Sequence, residues 1–351
     1  MSVEKIKVLV VDDSNFMRKI ITDMLNSDPQ ITVVGTASDG RETVEKVKNL
    51  NPDVITLDII MPEMDGLTAL EMLMKTNPTP VVMFSKVTRD GAEATLKALE
   101  FGAVDFVTKP QDADLGSIKM EIDKVKNELI DKIKIAARID RNKLKVLYPT
   151  TRIRERVTGV AEPSDRVICI GSSAGGPKVL MEIMPLFPYD LPSGVLVAQH
   201  MPSFFIKSFT ERLSNISKIG VREAKIGDIV PSSTAFLAPE SYTIKVERIK
   251  KGGAITLSSE PSIHRVKPCI DAMMEAAAQV YGAKAIGVLL SGMGRDGVKG
   301  LKAIKAVGGK TIAQDESSSI VFGMAKAAIE EGVVDKVVPA NKIVEEILKL
   351  I

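Results

Sequence analysis

Residues 6–14 read Ile-Lys-Val-Leu-Val-Val-Asp-Asp-Ser, a β-branched apolar run that ends in two carboxylates and a hydroxyl. Apolar residues at Phe16, Ile20, Ile21, Met24 and Leu25 follow at helical spacing. The alternation then repeats. Apolar runs at 31–35, 53–57, 80–84 and 104–107 are separated by helical stretches near 40–50, 66–75, 89–101 and 113–137. Short buried strands alternating with amphipathic helices are βαβ units, which build a parallel sheet. Residues 1–137 therefore read as a doubly wound α/β domain of five strands and five helices.

Beyond it, residues 138–165 are polar and charged and lack a sustained apolar period, as expected of an interdomain linker. A second alternating region occupies 166–351, with strand-like runs at 166–170, 194–198, 234–238, 242–249, 285–290, 310–313 and 333–338. Helical patterns near 177–186, 203–214, 268–281, 298–306, 323–331 and 340–350 lie between most of them. The runs at 242–249 and 254–258, joined by Lys-Lys-Gly-Gly, read as an antiparallel hairpin. The second domain is thus a larger α/β domain with a mostly parallel sheet.

Length agrees: 351 residues at roughly 100–200 per domain suggest two domains. With 45% apolar and 26% charged residues the composition is that of a globular chain. Lys plus Arg number 47 against 45 acidic residues, so nothing demands a nucleic-acid-binding face. Cys169 and Cys269 are far apart, which argues against a disulfide framework or zinc site and for a reducing, cytoplasmic home. No apolar stretch approaches the roughly 20 residues of a membrane span, and no signal peptide is expected.

In an open parallel sheet, function gathers at the carboxyl ends of the strands. In the first domain those ends carry Asp12 and Asp13, Asp58, Ser85 and Lys109. Without a glycine-rich loop, and with two carboxylates to repel a pyrophosphate, a dinucleotide site is not expected. Three carboxylates need a counter-charge, and an all-oxygen set suits Mg²⁺. A metal-bound carboxylate flanked by a lysine and a hydroxyl can accept a phosphoryl group. The plainer reading is that Asp13 and Ser14 cap a helix and Asp58 ends a strand. Val11-Asp-Asp-Ser14, Leu57-Asp-Ile-Ile-Met-Pro-Glu-Met-Asp-Gly66, Ser85 and Thr108-Lys-Pro110 resemble the flavodoxin-like receiver domain of two-component response regulators. The resemblance implies Asp58 as phosphoacceptor and Mg²⁺ held by Asp13, Asp58 and the Ile60 carbonyl, with Asp12 beside it. It also implies Ser85 and Phe106 as a switch pair and Lys109 as a phosphoryl contact.

In the second domain, Gly171-Ser-Ser-Ala-Gly-Gly176 follows a strand and precedes a helix. Gly176-Pro-Lys-Val179 breaks the pattern of a phosphate-binding loop. Gly171-Ser-Ser173-Ala-Gly175 fits the Gly-x-Ser-x-Gly turn that exposes a nucleophile, with the Ala174 amide placed for an oxyanion. The chain contains two histidines. His200 follows a strand at the same sheet edge, whereas His264 lies in a basic turn and suits a surface or structural role better. Among the acids Asp228, Asp271, Asp296 and Asp315, the glycine-flanked strand end favours Asp296 as the carboxylate that orients the base.

Ile170-Gly-Ser-Ser-Ala-Gly-Gly-Pro177, Gln199-His-Met-Pro202, Ser291-Gly-Met-Gly-Arg-Asp-Gly297, Gln314-Asp-Glu-Ser317 and Phe322-Gly-Met324 resemble the catalytic domain of the chemotaxis protein-glutamate methylesterase (CheB) family. This implies Ser173 as nucleophile, His200 as general base and acid, and Asp296 as its orienting partner, with the Met293 amide joining Ala174 at the oxyanion. Ala174 stands where the family usually carries Thr, and Ala325 where Pro is usual. The expected activity is hydrolysis of γ-glutamyl methyl esters on chemoreceptors, with deamidation of receptor glutamines by the same acyl transfer. It would be controlled by phosphorylation of Asp58 by the chemotaxis histidine kinase, the receiver blocking access to Ser173 until then. No cofactor is expected for the ester chemistry, and no membrane insertion. The rival is a non-enzymatic response regulator whose second domain binds a nucleotide or protein partner.

Overall fold

The computed structural model of the chain describes residues 4–85, 89–109, 118–144, 162–239, 241–260 and 266–351. The chain divides into two compact units, Met1–Pro149 and Thr150–Ile351. The first contains β1 (Ile6–Val11), α1 (Asn15–Asn26), β2 (Ile31–Ala37), α2 (Gly40–Leu50), β3 (Val54–Leu57) and α3 (Gly66–Thr76). It continues with β4 (Val81–Ser85), α4 (Arg89–Glu100), β5 (Asp105–Thr108) and α5 (Ile118–Ala136). Every strand pair is parallel, in the order β2-β1-β3-β4-β5. The two crossover directions from β1 meet between β1 and β3, and that crevice is where Asp12, Asp13 and Asp58 emerge. The apolar runs read from the sequence are the core strands: Val8 to Val11, Val54, Ile55 and Leu57 are fully buried. Helix starts here are closed by their own side chains, Ser14 accepting from Met17 N–H, Asp39 from Arg41 and Glu42, and Asp65 from Thr68.

The second unit contains β6 (Val167–Ser172), α6 (Gly176–Ile183), β7 (Gly194–Gln199), α7 (Ser203–Ile216), β8 (Gly220–Glu223) and β9 (Thr234–Leu237). Next come the hairpin β10 (Thr243–Arg248) and β11 (Gly253–Ser258), then α8 (Ile270–Tyr281), β12 (Ala285–Leu289) and α9 (Val298–Ala306). It closes with β13 (Lys310–Gln314), α10 (Met324–Glu330), β14 (Lys336–Val338) and α11 (Ile343–Leu348). Seven strands form one sheet, β14-β13-β12-β6-β7-β9-β8, and all of their described pairings are parallel. The hairpin is a separate two-stranded antiparallel sheet. From β6 the chain builds outward to β7 on one side and returns on the other with β12, so β6 lies at the reversal of strand order. Its side of the core is carried by Val167, Cys169, Leu196, Phe236, Ile270 and Leu289, all buried in one apolar cluster.

Some sequence boundaries move. Of the expected linker at 138–165, residues 145–161 lie outside the described residues. Arg141 donates to the Pro52 carbonyl at 2.8 Å, and Ile139 and Leu144 are buried. Pro163 bridges to Pro231, and Ser164 N–H donates to the Val230 carbonyl. Strand β8 was not read from the sequence: it has four residues, begins at a glycine and borders the sheet edge. The helix expected at 340–350 is a 3-10 turn over Ala340–Lys342, with Pro339 at its N-cap, followed by α11. Residues 113–117 of the fifth helical stretch lie outside the described residues.

Candidate active site and phosphoacceptor pocket

The acidic pocket of the first unit is built by the ends of β1, β3 and β5. Asp12 and Asp58 are buried, Asp13 is exposed and Lys109 is buried between the first two. Lys109 Nζ lies 2.6 Å from Asp58 Oδ2 and 2.6 Å from Asp12 Oδ2. The contact to Asp58 is a hydrogen bond, whereas Asp12 Oδ2 is buried without a well-aligned donor, so there the pairing is one of charge alone. Burial pushes the Asp58 carboxyl above its ordinary value; Lys109 opposes this and Asp12 adds to it. Ligand oxygens of Asp12, Asp13 and Asp58 lie within 4.8 Å of one another. Three carboxylates against one ammonium leave net negative charge in an all-oxygen crevice, a donor set that fits Mg²⁺. Gly66 closes the loop after β3: a Cβ there would fall 1.9 Å from the Asp58 carbonyl oxygen.

Ile60 is exposed on that loop, as a residue offering only its carbonyl can be. Phe106 is 2% exposed, with Lys132 Nζ 5.1 Å from its ring centroid. The Phe106 ring is buried in this conformation. Ser85 pairs through its backbone with Thr108, and its side chain lies outside the described residues.

In the second unit the ends of β6, β7 and β12 converge. Ser173 N–H donates to the Ser291 carbonyl and His200 N–H to the Ser172 carbonyl, both at 3.0 Å, which brings the three strand ends into one rim. Gly175 adopts φ +72° before α6, and a Cβ there would meet Ile320 Cβ at 2.6 Å. A glycine is needed for both reasons. Gly292 lets the β12 loop close on the serine, since a Cβ there would lie 2.8 Å from Ser173 Cβ.

His200 Nε2 lies 2.9 Å from Asp296 Oδ2, leaving Nδ1 as the ring nitrogen not engaged by the carboxylate. Asp296 is 3% exposed. Burial would raise its carboxyl, but the bond from His200 and the N–H groups of Asp271 and Ile270 outweigh burial and hold it below the usual carboxylate range. Among the described residues, the N–H groups of Ala174 and Met293 donate no hydrogen bond within the chain.

This arrangement coincides with a family match. The family model for the CheB methylesterase matches residues 168–347, and that for the response regulator receiver domain matches residues 8–118. The chain belongs to the CheB methylesterase family. A protein-glutamate methylesterase/protein-glutamine glutaminase of Pyrococcus horikoshii is 48% identical over 351 residues, covering 99% of this chain and 94% of the relative. One from Thermotoga maritima is 42% identical over 346 residues, covering 99% and 98%. The crystal structure of the Thermotoga maritima CheB methylesterase catalytic domain matches with a TM-score of 0.52 at 39% identity, over 53% of this chain and 98% of that one.

Of the rival acids, Asp228 and Asp315 fall away from the His200–Asp296 pair. Asp228 accepts from the Lys225 N–H and pairs with Arg222. Asp315 is taken up by Ser317 and Ser318. Asp271 lies beside Asp296 but turns its carboxylate to Gly297 and Gly300. His264 lies outside the described residues. The sequence reading missed Gln199. Its amide Nε2 donates to the Ser173 carbonyl at 2.9 Å and the His200 carbonyl at 2.8 Å, and its Oε1 accepts from Ser172 at 2.6 Å. It also missed Ser291, whose hydroxyl donates to the Ala174 carbonyl at 2.8 Å. Ser291 lies just past β12 next to Gly292, which was the available signal for it. No helix among the described residues is long and apolar enough to cross a membrane.

Proposed function

We propose that this chain is a phosphorylation-regulated esterase that hydrolyses γ-glutamyl methyl esters of chemoreceptors, releasing methanol, and deamidates receptor glutamines by the same route. The observation that carries the reading is the His200–Asp296 bond of 2.9 Å at the strand-end rim that also holds Ser173. Ser173 Oγ attacks the ester carbonyl while His200 accepts its proton. The Ala174 and Met293 N–H groups receive the oxyanion. His200 returns the proton to the departing methoxide, which leaves as methanol, or to the amide nitrogen of a glutamine substrate, which leaves as ammonia. A water, deprotonated by His200, then cleaves the acyl-enzyme. Asp296 keeps the imidazole oriented and stabilises its protonated form. Residues 166–351 are the catalytic part of this reading and residues 1–137 the regulatory part.

In that regulatory part Asp58 is the phosphoacceptor, the chemotaxis histidine kinase its phosphodonor, and Lys109 a contact to the phosphoryl oxygens. Asp13, Asp58 and the Ile60 carbonyl would hold Mg²⁺, with Asp12 beside it. The ion supplies charge neutralisation for the incoming phosphoryl group. Family membership over the whole chain does not favour a non-enzymatic regulator. The test is methanol release from methylated receptor, together with labelling by a fluorophosphonate. The wild type should release methanol and label once, and Ser173→Ala should do neither. Undiminished methanol release by Ser173→Ala would overturn the reading.

A further inference from the structure

Helices α8 and α9 begin without caps of their own, since neither Cys269 nor Gly297 at the N-cap positions makes a side-chain cap hydrogen bond. Each is closed by a carboxylate from the other. Asp296, the residue before Gly297, accepts from the Ile270 N–H on Oδ2 and the Asp271 N–H on Oδ1, both at 2.9 Å. Asp271, in the first turn of α8, accepts from the Gly297 and Gly300 N–H groups on Oδ1, both at 2.8 Å. Both carboxylates are 3% exposed. The exchange needs close approach. A Cβ at Gly300 would stand 2.6 Å from Met274 Cβ, and one at Gly297 would stand 3.0 Å from Ile270 Cγ2.

We propose that Asp271 is a positioning residue for ester hydrolysis: it fixes the peptide that carries Asp296, and through it the angle at which Asp296 meets His200. The inference rests on Ser173, His200 and Asp296 acting as proposed above. Asp296 reaches His200 with Oδ2, the same oxygen that accepts from Ile270. Its Oδ1 accepts from Asp271 N–H and lies 3.6 Å from the Cys269 thiol. A carboxylate held on both oxygens cannot turn independently of α8. Its geometry toward His200 is then set by how α9 and its leading turn are tied to α8, and Asp271 makes that tie with two hydrogen bonds. Without it, two buried N–H groups lose their acceptor and the leading turn must shift to satisfy them. That turn carries Asp296 and follows Met293.

The experiment uses the full-length protein, with competent sites counted by fluorophosphonate titration and kcat and KM measured per titrated site by methanol release. Asp271→Ala should lower kcat about 10- to 100-fold at a KM within about twofold of wild type. Asp271→Asn, which keeps the acceptor oxygen, should restore kcat to within about threefold. In an Asp296→Ala background, Asp271→Ala should cost less than about twofold further, because nothing remains to be positioned. A purely structural cap would lower the thermal midpoint and the number of titratable sites equally in both backgrounds. Should Asp271→Ala not fold, Asp271→Glu displaces the acceptor by one methylene and should show the same loss of kcat at constant KM. Wild-type kcat per site in folded Asp271→Ala or Asp271→Glu would overturn the inference. So would an Asp271→Ala penalty as large without Asp296 as with it. Failure of the underlying reading is seen separately, as fluorophosphonate labelling that survives Ser173→Ala.

Discussion

Burial works against an ionised Asp296, and the bond from His200 with the N–H groups of Asp271 and Ile270 outweighs it. A carboxyl held below its unfolded value of about 3.9 adds stability that is fully present above that pH and is lost as pH falls through the folded value. Asp296→Asn should therefore lower stability at pH 7 by about 1.5–3 kcal/mol, the range for hydrogen bonds to a charged group. The gap to wild type should close below about pH 4. Denaturant titrations at a series of pH values measure it, and a gap constant down to pH 3 would contradict this account. Activity should fall in a different order. Ser173→Ala and His200→Gln should each lower kcat by about 10⁵- to 10⁶-fold and Asp296→Ala by about 10⁴-fold, since Asp296 orients without bonding to substrate. Combining any two should add little, because the three act as a unit. Methanol release reads all of these.

At the level of elements, the two units start their helices differently. Side chains close α1, α2 and α3 locally, whereas α6, α7, α8 and α9 begin at residues that make no side-chain cap. Gly175 is the sharpest case. Gly175→Ala forces a Cβ into the left-handed region, at about 1–2 kcal/mol, and into Ile320 besides. It should lower the thermal midpoint and slow fluorophosphonate labelling of Ser173; wild-type labelling at a wild-type midpoint would show that the turn does not need glycine. Much of this was legible in the chain. The β-branched runs and the Gly-x-Ser-x-Gly turn each carry their structural cause locally, so β1, β6 and the Ser173 turn could be read directly. Strand β8 could not, because four edge residues beginning at Gly220 have too little apolar period. Nor could the roles of Gln199 and Asp271, whose partners, backbone groups and the Ser172 hydroxyl, are brought to them by strand register and helix packing. Nothing in the composition around either residue encodes them.

For the whole molecule, the two units carry separate chemistry. Asp58→Asn should leave a folded protein whose methanol release does not respond to a small phosphodonor with Mg²⁺, while wild type is stimulated. Equal stimulation of both would exclude Asp58 as the switch. A fragment from Arg156 to the C-terminus retains Pro163 and Ser164, which bond to Pro231 and Val230. It should fold and hydrolyse ester without phosphodonor; a folded but inactive fragment would mean that the first unit contributes to the reaction itself. The strand order has one more consequence, in time instead of space. His200 and Asp296 are 96 positions apart, and β12, which brings Asp296 beside β6, pairs with that strand made far earlier in the chain. Parallel pairings of such long separation form slowly, and a chain leaving the ribosome folds from its first residues onward. Residues 1–137 are thus finished while the growing polypeptide still lacks the carboxylate that orients its base.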